Sequence, residues 1–293
     1  MLRWRLILGG VLVAGLAVLV WFDNTATPPG IWLMPLALTA SFLATQETLD
    51  LVGQRLPRPN AAVIYVGNVA TVLAVWLPHW TTAPAVAGLS GPLMVFALAA
   101  AALLISEVRR FTHPGVSINQ ASAGAFVLCY AGLLLATLAA LRLVAPAWNV
   151  VPLLSVIATV KLGDIGAYTV GRLVGRHKMA PVVSPGKTWE GLAGGLVFAV
   201  AGAWLALNWF PAWFGVAAVP RFGVFDWLGF GLTVGAAGVA GDLAESLLKR
   251  DAGRKDSSRW MPGFGGVLDL LDSLLVAAPV GYAWWGLRLG MGP

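Results

Sequence analysis

Charge is scarce in this sequence. Only 11% of its 293 residues are Asp, Glu, Lys or Arg, while 58% are hydrophobic and the mean hydropathy is +0.80. Soluble domains carry about a quarter of their residues as charges, so a water-soluble globule is excluded and lipid is the solvent the chain is built for. Cysteine is almost absent too. Cys129 is the only one and lies in an apolar run, and His79, His113 and His177 are scattered. That excludes a disulfide framework and a Cys/His zinc site, so any metal must be bound through oxygen. The Walker A pattern GxxxxGK[ST] is missing, so a nucleotide is not held by a P-loop. Internal repeats, low-complexity tracts and a soluble domain are missing as well.

What is present is a series of apolar runs. A bilayer core about 30 Å thick needs about 20 residues of helix. Cut at that length, the chain gives nine spans, at 5–22, 31–46, 61–78, 84–106, 120–143, 149–171, 190–209, 225–248 and 265–287. The fold class expected is therefore all-α, a polytopic membrane protein with about nine transmembrane helices. The second span is short and the fourth contains Gly91-Pro92, so either is open to a kink or a re-entrant path. Arg3 and Arg5 precede the first apolar run, which is read as a retained helix and not as a signal peptide.

With the N-terminus inside, 15 of the 19 basic residues fall on the cytoplasmic side, among them Arg55, Arg110, Lys187 and Arg254. The positive-inside bias thus predicts a cytoplasmic N-terminus and an external C-terminus. Tryptophans 21, 32, 76, 80, 148, 209, 213 and 227 fall near outer span ends, as an interfacial belt would. The formal charge of +6 sits in short loops and not on an aromatic-studded face, so nucleic acid is not the expected partner.

Polarity is uneven along the chain. Residues 1–148 have spans nearly free of charge and read as a scaffold half, whereas 149–293 place acids within their spans and read as the catalytic half of one membrane domain. A charge at mid-membrane costs about 2.5–3.5 kcal/mol even on a lenient scale, so each needs a reason. Span six carries Lys161 and Asp164, span eight Asp242 and Glu245, span nine Asp269 and Asp272. Counted from the nearest basic or glycine-rich loop at helical rise, Asp242 and Asp269 lie about 9–11 Å in and Asp164 about 12 Å. Asp242, Ser246 and Lys249 are spaced i, i+4, i+7, one polar stripe, and Asp269 and Asp272 are three apart on one face. Stripes of carboxylate and hydroxyl suit a hard cation such as Mg²⁺ shared with substrate phosphates. For one isolated acid, a structural network neutralised by Lys161 or Lys249 is an equally good reading; the convergence of three helices favours the cation. Asp23 and Asp226 fall at the opposite side, and substitutions there are expected to do little to turnover.

Two loops adjoin the acids. The first contains Ser184-Pro185-Gly186-Lys187-Thr188-Trp189-Glu190-Gly191. The second runs from Lys249-Arg250 through Arg254-Lys255-Asp256-Ser257-Ser258 to Pro262-Gly263-Phe264-Gly265-Gly266. Spans seven and nine begin there, and helix N-termini with glycine and basic side chains are suited to phosphate, although a basic loop taken singly is usually a topology anchor.

These residues resemble a known family. Ser246-x-x-Lys249-Arg250-x4-Lys255-Asp256-x-Ser258, followed by Pro262-Gly263-x-Gly265-Gly266-x-x-Asp269-x-x-Asp272, is similar to the C-terminal signature of the phosphatidate cytidylyltransferase, or CDP-diacylglycerol synthase, family. Asp164-x-x-Ala167-Tyr168-x-x-Gly171 and Ser184-Pro185-x-Lys187-Thr188-x-Glu190-Gly191 resemble its upstream motifs. The resemblance covers about residues 150–280. It departs at Phe264, where the family usually has His, and at Leu270, where it usually has Arg.

The resemblance implies that CTP and phosphatidic acid give CDP-diacylglycerol and pyrophosphate, with Mg²⁺ and room for a second cation. Asp242, Asp269 and Asp272 would be metal ligands and, with Lys249, catalytic. Ser184, Lys187, Thr188, Glu190, Ser246, Arg250, Lys255, Asp256, Gly265 and Gly266 would bind substrate. The setting implied is the inner (plasma) membrane with the site facing the cytoplasm; a homodimer stays open as the assembly. A CTP-dependent polyprenol or phytol kinase, or a cytidylyltransferase acting on a different phospholipid, is the nearest alternative; an ion-coupled transporter or a noncatalytic relative is more distant.

Overall fold

A computed structural model describes residues 2–81, 88–216, 222–261, 263 and 265–288, with side chains from Gly9 onward. Each predicted span corresponds to a helix: α1 (Leu2–Asn24), α2 (Met34–Val52), α3 (Ala61–Trp80), α4 (Ser90–Arg110), α5 (Ser117–Ala140), α6 (Val151–Val174), α7 (Trp189–Trp213), α8 (Val224–Asp251) and α9 (Val267–Arg288). Seven of them, α3 to α9, are long and apolar enough to cross a membrane. The described part of α1 is a shorter apolar helix, Gly9–Asn24. The second span was expected to stop at residue 46, but α2 runs on to Val52 and takes in Glu47 and Asp50. Large apolar side chains such as Val66, Leu98, Val108 and Ile165 are more than half exposed, a surface that only lipid makes tolerable. The protein is an all-α polytopic membrane protein.

The chain divides into two compact units. The first comprises residues 1–140 with 248–270, and the second 141–247 with 271–293. In the first, α4 starts at Ser90, so Gly91 and Pro92 occupy its first turn and the proline breaks no helical hydrogen bond there; residues 84–87 of that predicted span are outside the described residues. Asp23 is fully buried and accepts the Gly30 and Trp32 amides at 3.1 Å each, so it has a structural role. Trp76 likewise departs from the expected interfacial belt: it is 2% exposed and donates Nε1 to the Pro29 carbonyl at 3.2 Å.

In the second unit α6 and α7 lie closely side by side. A Cβ at Gly195 would come within 3.0 Å of the Ala167 Cβ and 3.1 Å of the Gly163 carbonyl, so any larger residue would crowd the approach. Gly231 and Gly235 bring α8 against Val200 and Ala199 in the same way, each hypothetical Cβ meeting its neighbour at 2.6 Å. Trp148, also expected in the belt, is buried against Phe222 and Trp285 with ring centroids 5.2 and 5.3 Å away. Between α6 and α7 the predicted loop is a small antiparallel hairpin, β1 (Lys178–Ala180) and β2 (Ser184–Thr188).

Candidate active site

In the second unit, α6 and α9 each bring an acid into electrostatic range of Asp242 on α8. Asp242 interacts with both Asp164 and Asp272. Lys161 pairs with Asp164 at 3.3 Å, and Lys187 reaches Asp242 with Nζ 2.8 Å from Oδ2. The Ser246 hydroxyl faces Asp242 Oδ1 at 3.4 Å, which makes the predicted stripe on α8 real as far as that residue. Asp272 is 8% exposed and takes its hydrogen bonds on Oδ1 alone, from the Ser273 amide and hydroxyl. Gly241 is what lets α9 come so near, since a Cβ there would stand 2.5 Å from the Asp272 carbonyl oxygen.

Lys187 owes its place to the hairpin. Thr188 ends β2 and caps α7, its Oγ1 accepting the Gly191 amide at 3.1 Å, which satisfies one of the free N–H groups of the first turn. Glu190 reaches back and accepts the Arg176 and His177 amides at 3.1 and 3.2 Å, clasping the chain that enters β1. Ser184 sits across from Ala180 in the hairpin. Of the predicted substrate-binding residues in this segment, Thr188 and Glu190 therefore have local structural partners, and Lys187 is the one directed at an acid.

The first unit holds a second constellation. A Schellman turn ends α8: Gly253, at φ +69°, donates to Arg250 O at 3.0 Å and Arg254 N donates to Lys249 O at 2.8 Å. Lys249 Nζ then lies 2.6 Å from Asp269 Oδ1, both side chains nearly buried. Asp269 Oδ2 accepts the amides of Ser257 and Gly266 at 2.9 Å each and the Ser257 hydroxyl. Gly265 is at φ +88°, and a Cβ there would collide with the Asp269 carboxylate. Arg250, Lys255 and Asp256 are exposed, and Arg250 also donates to Arg254 O at 3.3 Å. Leu270 is half-buried; Phe264 lies outside the described residues. Sequence reasoning passed over Glu47, whose carboxylate accepts hydrogen bonds from Ser257, Trp260, Val267 and Leu268.

The donor set around Asp242 suits a hard cation. Three carboxylates face two ammonium groups, and Oδ2 of Asp272 takes no hydrogen bond among the described residues. No three Asp, Glu, His or Cys side chains among the described residues converge as a complete ligand set. Mg²⁺ does not require one, because it is usually held by one or two carboxylates with water and substrate phosphates.

Comparison with known proteins agrees with this chemistry. The cytidylyltransferase family matches residues 3–287. The chain belongs to that family. Proteins named phosphatidate cytidylyltransferase are similar to it: one of Mycobacterium bovis is 32% identical over 96% of this chain and 89% of its own length, and one of Mycobacterium leprae 34% identical over 96% and 85%. The Haemophilus influenzae protein of the same name is 42% identical, over 43% of each chain. The match to the mycobacterial relatives thus takes in both units of the chain.

Proposed function

We propose that the protein transfers the cytidylyl group of CTP to phosphatidic acid, leaving CDP-diacylglycerol in the membrane and releasing pyrophosphate. An oxygen of the lipid phosphate attacks the α-phosphorus of CTP, and the bond from that phosphorus to the bridging oxygen of the pyrophosphate breaks. The nucleophile arrives already ionised, so the protein needs no covalent intermediate; its work is alignment and charge neutralisation. The observation that carries this reading is the pair between Lys187 of the hairpin and Asp242 of α8, beside Asp272 of α9, in a chain that the family matches over residues 3–287.

A lysine held on a carboxylate by a flexible stem can move its ammonium onto an incoming phosphate. Asp242 and Asp272 are the residues proposed to hold Mg²⁺, which supplies positive charge at the phosphates when bound. Asp269 stays a candidate ligand by resemblance, while its hydrogen bonds here fix the loop that carries Ser257 and Gly266. Arg250, Lys255 and the glycine-rich turn are proposed to meet the triphosphate. The N-terminus and both basic loops are assigned to the cytoplasmic side of the inner membrane, from the charge bias.

The test is to incubate the purified protein with labelled CTP, phosphatidic acid and Mg²⁺. Labelled lipid and one pyrophosphate per turnover are expected. Release of CDP with a phosphorylated lipid would instead identify a lipid kinase, and absence of labelled lipid would overturn the proposal.

A further inference from the structure

Glu47 lies on α2 and is 4% exposed. Both of its oxygens accept backbone amides. Oε1 accepts Trp260 Nε1 and the Val267 amide, both at 3.0 Å; Oε2 accepts the Leu268 amide at 2.8 Å and lies 2.9 Å from the Ser257 hydroxyl, whose single proton it shares with Asp269 Oδ2. Val267 and Leu268 open α9, where free N–H groups and the positive end of the helix dipole stabilise an anion. The Ser257 amide also donates to Asp269. One side chain of the second helix thus ties together three parts of a segment more than 200 residues later in the chain.

Glu47 also stands in the wall of a cleft of about 870 Å³. Gln46 and Asp50 line it from α2, and Arg254, Lys255, Arg259 and Trp260 from the loop. A volume of this order, three cations and a half-exposed indole fixed through its nitrogen suit a nucleotide. We propose that Glu47 is a positioning residue for the nucleotide: through Ser257, Trp260 and the first turn of α9 it holds this cleft and Asp269 in the arrangement that receives CTP, without touching the reacting atoms. The inference rests on the cytidylyltransferase reading and adds to it a determinant outside the acidic helices.

Geometry gives the test its edge. Each oxygen of Glu47 accepts a backbone N–H, so in Glu47→Gln, whichever way the amide turns, its NH₂ faces an N–H donor. Glu47→Asp is shorter but keeps two acceptors. With full-length protein in detergent, Glu47→Gln is expected to raise the KM for CTP about ten- to hundredfold, the size of a buried polar mismatch, and to leave the KM for phosphatidic acid within about twofold. Glu47→Asp should fall between it and the wild type. Glu107→Gln is the control, since Glu107 is an equally buried acid of α4 whose partners are the Asn60 amide and Arg110; it should lower the melting temperature and leave both KM values unchanged. A Glu47→Gln protein with a wild-type KM for CTP, or one that loses only kcat and melting temperature, would overturn the inference. Should the wild type show no turnover, the proposed function falls, and equilibrium binding of CTP to wild type and Glu47→Gln still decides: equal affinities reject the role of Glu47, weaker binding to the variant supports it.

Discussion

The carboxylates around Asp242 and those around Asp269 are stabilised by different chemistry. Asp164 and Asp242 are matched by Lys161 and Lys187, and their side chains are 37% and 33% exposed. Asp269 and Glu47 are 11% and 4% exposed and are held largely by groups that cannot leave: backbone amides, a serine hydroxyl and an indole nitrogen. A long lysine side chain can exchange its partner for a phosphate or give way to a metal at little cost, whereas a backbone N–H stays where the helix puts it. The first set is built for ligand exchange and the second for fixing a loop. Both are acidic, and both lie in segments that resemble family motifs or pack on one, so residue type alone does not separate them.

The sharpest way to break that comparison is to remove charge from the exchanging set. Asp242→Asn or Asp272→Asn should lower turnover by about three orders of magnitude, as expected when a cation that neutralises a phosphoryl centre is lost. Incorporation of labelled CTP into lipid measures it. The melting temperature should not fall, because relieving repulsion among Asp164, Asp242 and Asp272 offsets the loss of the Lys187 pair. Chelation of divalent cations should abolish turnover in the wild type, with Mg²⁺ restoring it. Turnover by Asp242→Asn that is near normal and still dependent on Mg²⁺ would remove Asp242 from the mechanism.

Smaller effects are expected one step outward. Lys187→Met keeps the apolar stem and deletes the ammonium; it should weaken CTP use about ten- to a hundredfold, the range for a charged hydrogen-bonding partner, seen in kcat/KM for CTP. Gly241→Ala tests packing instead of charge. Its Cβ would meet the Asp272 carbonyl at 2.5 Å, so α9 must move, at a cost of about 1–3 kcal/mol in stability. A lowered melting temperature in detergent, with turnover reduced because Asp272 moves too, is the expected result; unchanged melting would show that the two helices are not held at this distance.

Much of this was legible from spacing. Each apolar run meets a helix among the described residues, seven of them long and apolar enough to cross a membrane, because length and hydropathy determine spans almost independently of tertiary contacts. The acids of α6, α8 and α9 were legible because charge inside a span is costly. Glu47 was not, since beside Gln46 and Asp50 it reads as the polar end of a short helix, and its partners are 210 to 221 residues away. The hairpin was missed because strands of three and five residues, one containing Pro185 and Gly186, carry no alternating pattern. Trp76 and Trp148 read as interfacial by position, and only packing shows them buried. The structural role of Asp23 was hidden for the same reason: the amides it accepts belong to a loop with no signature.

The smallest expected effect is also the control on which the largest depends. Asp226 lies on α8, as Asp242 does, but near the other end of the helix. It accepts the Gly223 amide at 2.8 Å and forms an ion pair with Arg288 at 2.9 Å, an arrangement that caps the start of α8. Asp226→Asn keeps the shape and an acceptor oxygen and loses the charge. The pair is partly exposed, with Arg288 48% accessible, so screening limits its worth to about 1 kcal/mol or less. Turnover should stay within about twofold of wild type, with a melting temperature lower by a few degrees at most. The same substitution on the same helix thus has opposite expected outcomes at 226 and 242. If Asp226→Asn lost as much turnover as Asp242→Asn, the cause would be damage to α8 itself, and the exchangeable charge at Asp242 would no longer explain the result.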